Sequence, residues 1–245
     1  LTKRSDAAAI WGKRGAGFDT SFSRMTTSHV AALVAIIASF LGMTPNHLTL
    51  LSCLTGLAAF VVSFVIPLDE PVVSVLTIFV VATFAFVLDC ADGILARGTS
   101  QATRFGGFLD HTLDVVTQTC GLSAFFVFAY RSALNSGDIE CAQATIVFGF
   151  IFLLVREARN FSIHLYQATF SPETGPRNHP RAIAIAVGVA KSPLTYQFSM
   201  LAILGYLVSP FASFAMFGMQ TLVLLVSLLR CIDRAGRLDI KSSAG

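Results

Sequence analysis

Long apolar stretches separated by short polar turns run through most of the chain, and their lengths predict its architecture. Runs at about 46–66, 71–95, 105–130, 142–168, 183–207 and 211–233 each approach or exceed the roughly 20 residues a helix needs to cross a bilayer core. A shorter apolar stretch, 29–43, falls short of a comfortable span. Thr44-Pro45-Asn46 follows it with a cap residue and a first-turn proline, so a fresh helix is expected from about 46. No repeat of 20–50 residues and no low-complexity segment interrupts this pattern.

The polar turns alternate in charge. Asp69 and Glu70 follow the first long run, and Arg131, Asp138 and Glu140 follow the third. Basic residues collect elsewhere: in the N-terminal arm (Lys3, Arg4, Lys13, Arg14, Arg24), at Arg97 and Arg104, around Arg177 and Arg181, and at the C-terminal end (Arg230, Arg234, Arg237, Lys241). The positive-inside rule assigns these groups to the cytoplasmic side. Both ends on one side requires an even number of spans. The expectation is therefore an all-α integral membrane protein, a six-helix transmembrane bundle preceded by an interfacial helix. Its parts are a basic arm over 1–27, a membrane domain over 28–233 with 28–43 lying at the interface, and a basic cytoplasmic tail over 234–245. Seven spans, with 29–43 crossing, is the competing count.

Composition agrees with this picture. Of 245 residues, 54% are hydrophobic and 13% charged, and the mean hydropathy of +0.71 excludes an ordinary soluble domain. A net charge of +3 gives no case for nucleic acid. The basic arm with Trp11 and Phe18 reads as a surface-lying segment on an anionic leaflet, and no cleaved leader is expected. Cys53, Cys90, Cys120, Cys141 and Cys231 show no paired spacing and read as small apolar packers rather than a disulfide framework.

Against this background one stretch is anomalous. Asp89, Asp92, Arg97, Asp110 and Asp114 fall between some of the most apolar segments, where ionised side chains are costly. Asp89 and Asp92 are three apart and Asp110 and Asp114 four apart, so each pair shares a helix face. Two antiparallel neighbours joined by a short turn would bring all four carboxylates together near the cytoplasmic boundary. Such a group cannot stay ionised in a poorly solvated site without a cation. Hard divalent ions with oxygen ligands are the natural answer, and Mg²⁺ commonly bridges carboxylates and a phosphate-bearing substrate. Gly93, Ala96 and Gly106 keep the adjoining surface low, and Arg97, four residues after Gly93, can meet a phosphate on the same face.

The spacing Asp-x2-Asp-Gly-x2-Ala-Arg-x8-Gly-x3-Asp-x3-Asp resembles the signature of the CDP-alcohol phosphotransferases. Each fixed position is filled, by Asp89, Asp92, Gly93, Ala96, Arg97, Gly106, Asp110 and Asp114. Thr-Pro-Asn-x-Leu-Thr before the first span is also familiar from that family, which has six spans preceded by a juxtamembrane helix. The resemblance implies a Mg²⁺- or Mn²⁺-dependent transfer, with two ions, at a cytoplasm-facing site. In it a CDP-alcohol, usually CDP-diacylglycerol, gives its phosphatidyl group to an acceptor hydroxyl and CMP leaves. It further implies that Asp114 is the general base and that Asp89, Asp92 and Asp110 chiefly hold metal and nucleotide. A homodimer in a bacterial plasma membrane is the expected setting.

The acceptor is less legible. Arg156 and Arg159, with Glu157 between them, suit either a phosphorylated polyol such as glycerol phosphate or inositol phosphate, or an internal ion pair. Arg181 and Lys191 are further acceptor candidates. Serine or an amino-alcohol is the alternative acceptor. A UbiA-type prenyltransferase lacks the Gly-x2-Ala-Arg register, and a divalent-cation transporter would carry its carboxylates nearer the midplane. His111, inside the signature, reads as a polar neighbour, and His29, His47, His164 and His179 as interfacial or loop residues.

Overall fold

The computed structural model describes residues 2–13, 27–170 and 196–243, and all regular structure among them is helical. The elements are α1 (Thr2–Gly12), α2 (Ser28–Phe40), α3 (Pro45–Val62), α4 (Pro71–Gly98), α5 (Arg104–Asn135), α6 (Ile139–Phe170), α7 (Tyr196–Gly205) and α8 (Pro210–Ser243). Five of them, α3, α4, α5, α6 and α8, contain stretches long and apolar enough to cross a membrane. Of the expected span at 183–207, only 196–207 lies within the described residues, helical over Tyr196–Gly205.

Sequence signals set most of the boundaries. Pro45, Pro71 and Pro210 open α3, α4 and α8, where a missing N–H costs nothing. The Thr44 N–H donates to Nδ1 of His47 at 3.2 Å, so His47 caps α3 instead of merely lying at an interface. At the far end of α5, Gly137 adopts a left-handed φ of 80° and Asp138 N–H returns to the Ala133 carbonyl at 3.0 Å, a glycine-terminated helix end. The last helix passes through 234–243, the stretch read as a tail, because loss of hydropathy marks the edge of the lipid and not the end of a helix.

α3, α4 and α5 form the centre. α3 presents a small-residue face, Thr49, Ser52, Cys53, Gly56 and Ala59, all buried. A Cβ at Gly56 would lie 2.8 Å from the Thr117 carbonyl oxygen, so α3 and α5 run almost backbone to backbone. Ser52 Oγ donates to the Ala85 carbonyl at 2.9 Å and ties the same face to α4. At the opposite end from the aspartates, Arg131 of α5 donates to the carbonyls of Ser63 and Ile66, at 2.7 and 3.1 Å, satisfying the open end of α3.

Beyond the centre, α6 packs on α5, α8 on α6, and α7 between α8 and α4. Phenylalanine fills the space between them: the Phe125 and Phe217 rings stack at 5.4 Å and Phe152 meets Phe217 edge-on at 5.0 Å. On the other flank, α2 turns Ala31, Ala35 and Ala38 inward against α4 and leaves Val30, Leu33 and Ile37 outside. Its 13 residues reach about 20 Å, short of the hydrocarbon core of about 30 Å. α1 closes this flank, with Ile10 fully buried against Gly98 and Trp11 edge-on to His29 at 5.8 Å.

The five cysteines are all free; Cys53 is buried, Cys141 is exposed and the others are half-buried. Cys53, Cys90, Cys120 and Cys231 thus sit among packed helices as expected, while Cys141 faces outward.

Candidate active site

The turn between α4 and α5 sets up the site. Thr103, the N-cap of α5, accepts the Gly106 N–H at 2.9 Å, which starts the helix that carries Asp110 and Asp114. A Cβ at Gly106 would stand 3.0 Å from that Thr103 hydroxyl and 3.3 Å from Oδ1 of Asn46 on α3. Gly106 is therefore the point where the start of α3 reaches the start of α5.

One turn or two inside this point the carboxylates converge. Oxygen atoms of Asp89, Asp110 and Asp114 all lie within 4.8 Å of one another, and all three residues are half-buried. The fourth carboxylate, Asp92, is only 3% exposed and joins that tight set through a side-chain hydrogen bond with Asp110. Its Oδ2 accepts a short hydrogen bond from the Thr49 hydroxyl of α3. All four aspartates thus meet as expected from their spacing, and Asp92 is held in addition by a helix the spacing says nothing about.

Three converging carboxylate oxygens are a donor set for a hard divalent cation. Asp114 Oδ1 supports that reading independently: it is buried and has no hydrogen-bond partner among the described residues. A buried acceptor of this kind calls for a cation, a water or a proton. The residues present therefore fit a Mg²⁺- or Mn²⁺-type ion.

Arg97 completes the polar surface. A Cβ at Gly93 would meet its Nη1 at 3.0 Å and its Nη2 at 3.2 Å, so the guanidinium folds back along α4 over Gly93, toward the turn that carries Asp92. A side chain at position 93 would push it away. Ala96 is half-buried beside it, and His111 is exposed on the α5 flank.

One turn deeper along the Asp114 face of α5, Gln118 meets α6. Arg156, 5% exposed, makes short contacts with both Glu157 and Gln118, and lies 5.8 Å from the Tyr196 ring centre. Thr119 donates to Glu157 at 3.3 Å. The ion pair weighed for Arg156 and Glu157 is thus formed. Arg159 faces α8 instead, with Nε 3.4 Å from Ser227 Oγ and Nη1 3.1 Å from Asn160 Oδ1. Arg181 and Lys191 lie outside the described residues. Gln118 and Tyr196 are site neighbours that the sequence alone did not single out, and Thr49 entered only as the last residue of the Thr-Pro-Asn-x-Leu-Thr motif, without a role; a glutamine on the buried face of a membrane helix was the available signal.

Comparison with known proteins bears on these same helices. A family model described as CDP-alcohol phosphatidyltransferase matches residues 42–230. An archaetidylinositol phosphate synthase of Pyrococcus horikoshii is 43% identical over 74 residues, 30% of this chain and 36% of that protein. A phosphatidylinositol phosphate synthase of Corynebacterium glutamicum is 31% identical over 123 residues, 48% of this chain and 53% of that protein. The chain thus spans about half the length, or less, of these relatives. The crystal structure of Mycobacterium tuberculosis phosphatidylinositol phosphate synthase with CDP-DAG bound aligns with a TM-score of 0.58 at 17% identity, covering 84% of this chain and 92% of that one, a likeness of fold. The family match runs from the turn before α3 into α8, takes in every signature residue, and places this integral membrane chain in the CDP-alcohol phosphatidyltransferase family.

Proposed function

We propose that this chain transfers a phosphatidyl group from CDP-diacylglycerol, or a related CDP-alcohol, to the hydroxyl of a phosphorylated polyol and releases CMP. The observation that carries this reading is the meeting of Asp89, Asp110 and Asp114 oxygens within 4.8 Å, with an orphaned Asp114 oxygen among them. Asp89, Asp92, Asp110 and Asp114 would hold Mg²⁺ or Mn²⁺, as two ions. Bound there, the metal offsets the charge of the donor's diphosphate.

The chain's own groups supply the rest. Arg97 takes a diphosphate oxygen, and the low surface of Gly93, Ala96 and Gly106 leaves room for the cytidine nucleotide. Asp114 accepts the proton of the acceptor hydroxyl as its oxygen attacks. A new bond forms between that oxygen and the phosphorus bearing the lipid alcohol, and the bond from that phosphorus to the bridging diphosphate oxygen breaks. CMP carries away the electron pair.

For the acceptor, both named relatives are synthases of inositol phosphate lipids, which supports a phosphorylated polyol over serine. Arg156 and Arg159, with Arg181 and Lys191, are the cations offered for its phosphate. Six crossings are proposed, the fifth drawn from 183–207, with α2 at the interface, the site and both ends facing the cytoplasm, and a homodimer as the working unit. A bacterial plasma membrane fits the chain's basic ends.

The test is CMP release by the purified protein in CDP-diacylglycerol vesicles with Mg²⁺, on addition of inositol phosphate, glycerol 3-phosphate or serine one at a time. Release with a phosphorylated polyol is expected. No CMP with any pair sinks the reading.

A further inference from the structure

We propose that Thr49 is a positioning residue for the metal site: its hydroxyl fixes one oxygen of Asp92 and with it the orientation of that carboxylate beside Asp110. This rests on the metal reading of the carboxylates above. Thr49 and Asp92 are each 3% exposed, and their hydrogen bond joins residues 43 apart in sequence, from α3 to α4.

The behaviour of the other threonines shows that Thr49 is diverted. A threonine in a helix ordinarily returns its proton to the carbonyl four residues back. Thr55, Thr77, Thr99, Thr112, Thr145 and Thr221 do so here, all at 2.7–2.8 Å. Thr49 keeps its Pro45 carbonyl at 3.2 Å and makes its shorter contact with Asp92. A hydroxyl has one proton to give. That of Thr49 goes to the carboxylate.

This bond is not what holds the two helices together. Ser52, one turn on along the same face of α3, already ties it to α4 through the Ala85 carbonyl, and the small-residue face packs throughout. What Thr49 adds is a side-chain donor, from a second helix, to a carboxylate that is almost wholly out of water and also accepts from the Gly93 backbone N–H. Without it Asp92 would lose its tie to α3, and a buried acceptor would lose one of its partners. Partners of metal-holding carboxylates typically matter by about 10- to 100-fold in affinity or activity.

The experiment is Mn²⁺ titration by electron paramagnetic resonance on the full chain in nanodiscs, with thermal melting alongside. Thr49→Val, which keeps the shape and removes the donor, should weaken Mn²⁺ binding by about 10- to 100-fold. Thr49→Ser should restore it to within about twofold of wild type. In an Asp92→Ala background, Thr49→Val should change the remaining affinity by less than about twofold, since the two residues act as one unit. Wild-type Mn²⁺ affinity in Thr49→Val, no rescue by serine, or an equal loss in both backgrounds would each overturn the proposal. A wild type that binds Mn²⁺ through these aspartates yet releases no CMP would sink only the transfer reading. One that binds no Mn²⁺ would sink both.

Discussion

Gly56 of α3 lies directly on Thr117 of α5, with the added Cβ of any other residue 2.8 Å from the Thr117 carbonyl oxygen and 3.0 Å from its Cα. Both are backbone atoms, so no side-chain rotation relieves the clash. Gly56→Ala should therefore separate the helices and destabilise the fold by about 1–3 kcal/mol, the scale of overpacking in a close-fitting core. Gly218→Ala, where nothing stands within 4 Å, is the control and should be neutral or stabilising by up to about 1 kcal/mol. Melting of both variants in detergent measures the difference.

Asp114→Asn should fold, still bind CDP-alcohol, and lose turnover by about 10²–10⁴-fold, the usual contribution of a positioned base. Single-turnover CMP release paired with equilibrium donor binding separates the two effects. Turnover near wild type would remove Asp114 from the base role.

Chelation should abolish CMP release, and added Mg²⁺ or Mn²⁺ should restore it. Asp89→Asn and Asp110→Asn should each raise the metal concentration for half-maximal rate by at least about tenfold, as these residues supply oxygens to the converging set. Rate against free metal concentration checks this, and an unchanged midpoint in both variants would count against the cluster.

Gly93 and Arg97 should behave as a pair. Gly93→Ala places a methyl 3.0 Å from the guanidinium, whose far end can move, so stability should hold while donor binding weakens. Arg97→Lys should weaken donor binding by about tenfold, the cost of one charge-assisted hydrogen bond of roughly 1.5 kcal/mol. KM for the CDP-alcohol, read beside the melting temperature, distinguishes these outcomes from a folding defect.

The legible part of this protein was the part written in one helix at a time. Pro71 and the apolar run behind it located α4, and the spacings of Asp89, Asp110 and Asp114 put those oxygens on faces that do meet. Contacts between helices distant in sequence were not legible. Ser52 and Gly56 look like ordinary members of an apolar run and Thr49 like the end of a helix-start motif, yet they make α3 the close neighbour of both site helices. The added hold on Asp92 was hidden for the same reason, since Thr49 comes from α3. Arg156 could be read two ways because a cation beside Glu157 has the same sequence whether or not the two side chains touch; in the fold they do.

The carbonyl grip of Arg131 has a bearing on how a lipid reaches the site. α3 and α5 are fastened at three heights: Asn46 over Gly106 at one end, Gly56 on Thr117 in the middle, and Arg131 on Ser63 and Ile66 at the other. Close approach at two heights and a side-chain grip at the third resist sliding and hinging of these two helices against each other. In the proposed reaction, any sideways opening for a two-tailed donor would then fall to the helices around that pair.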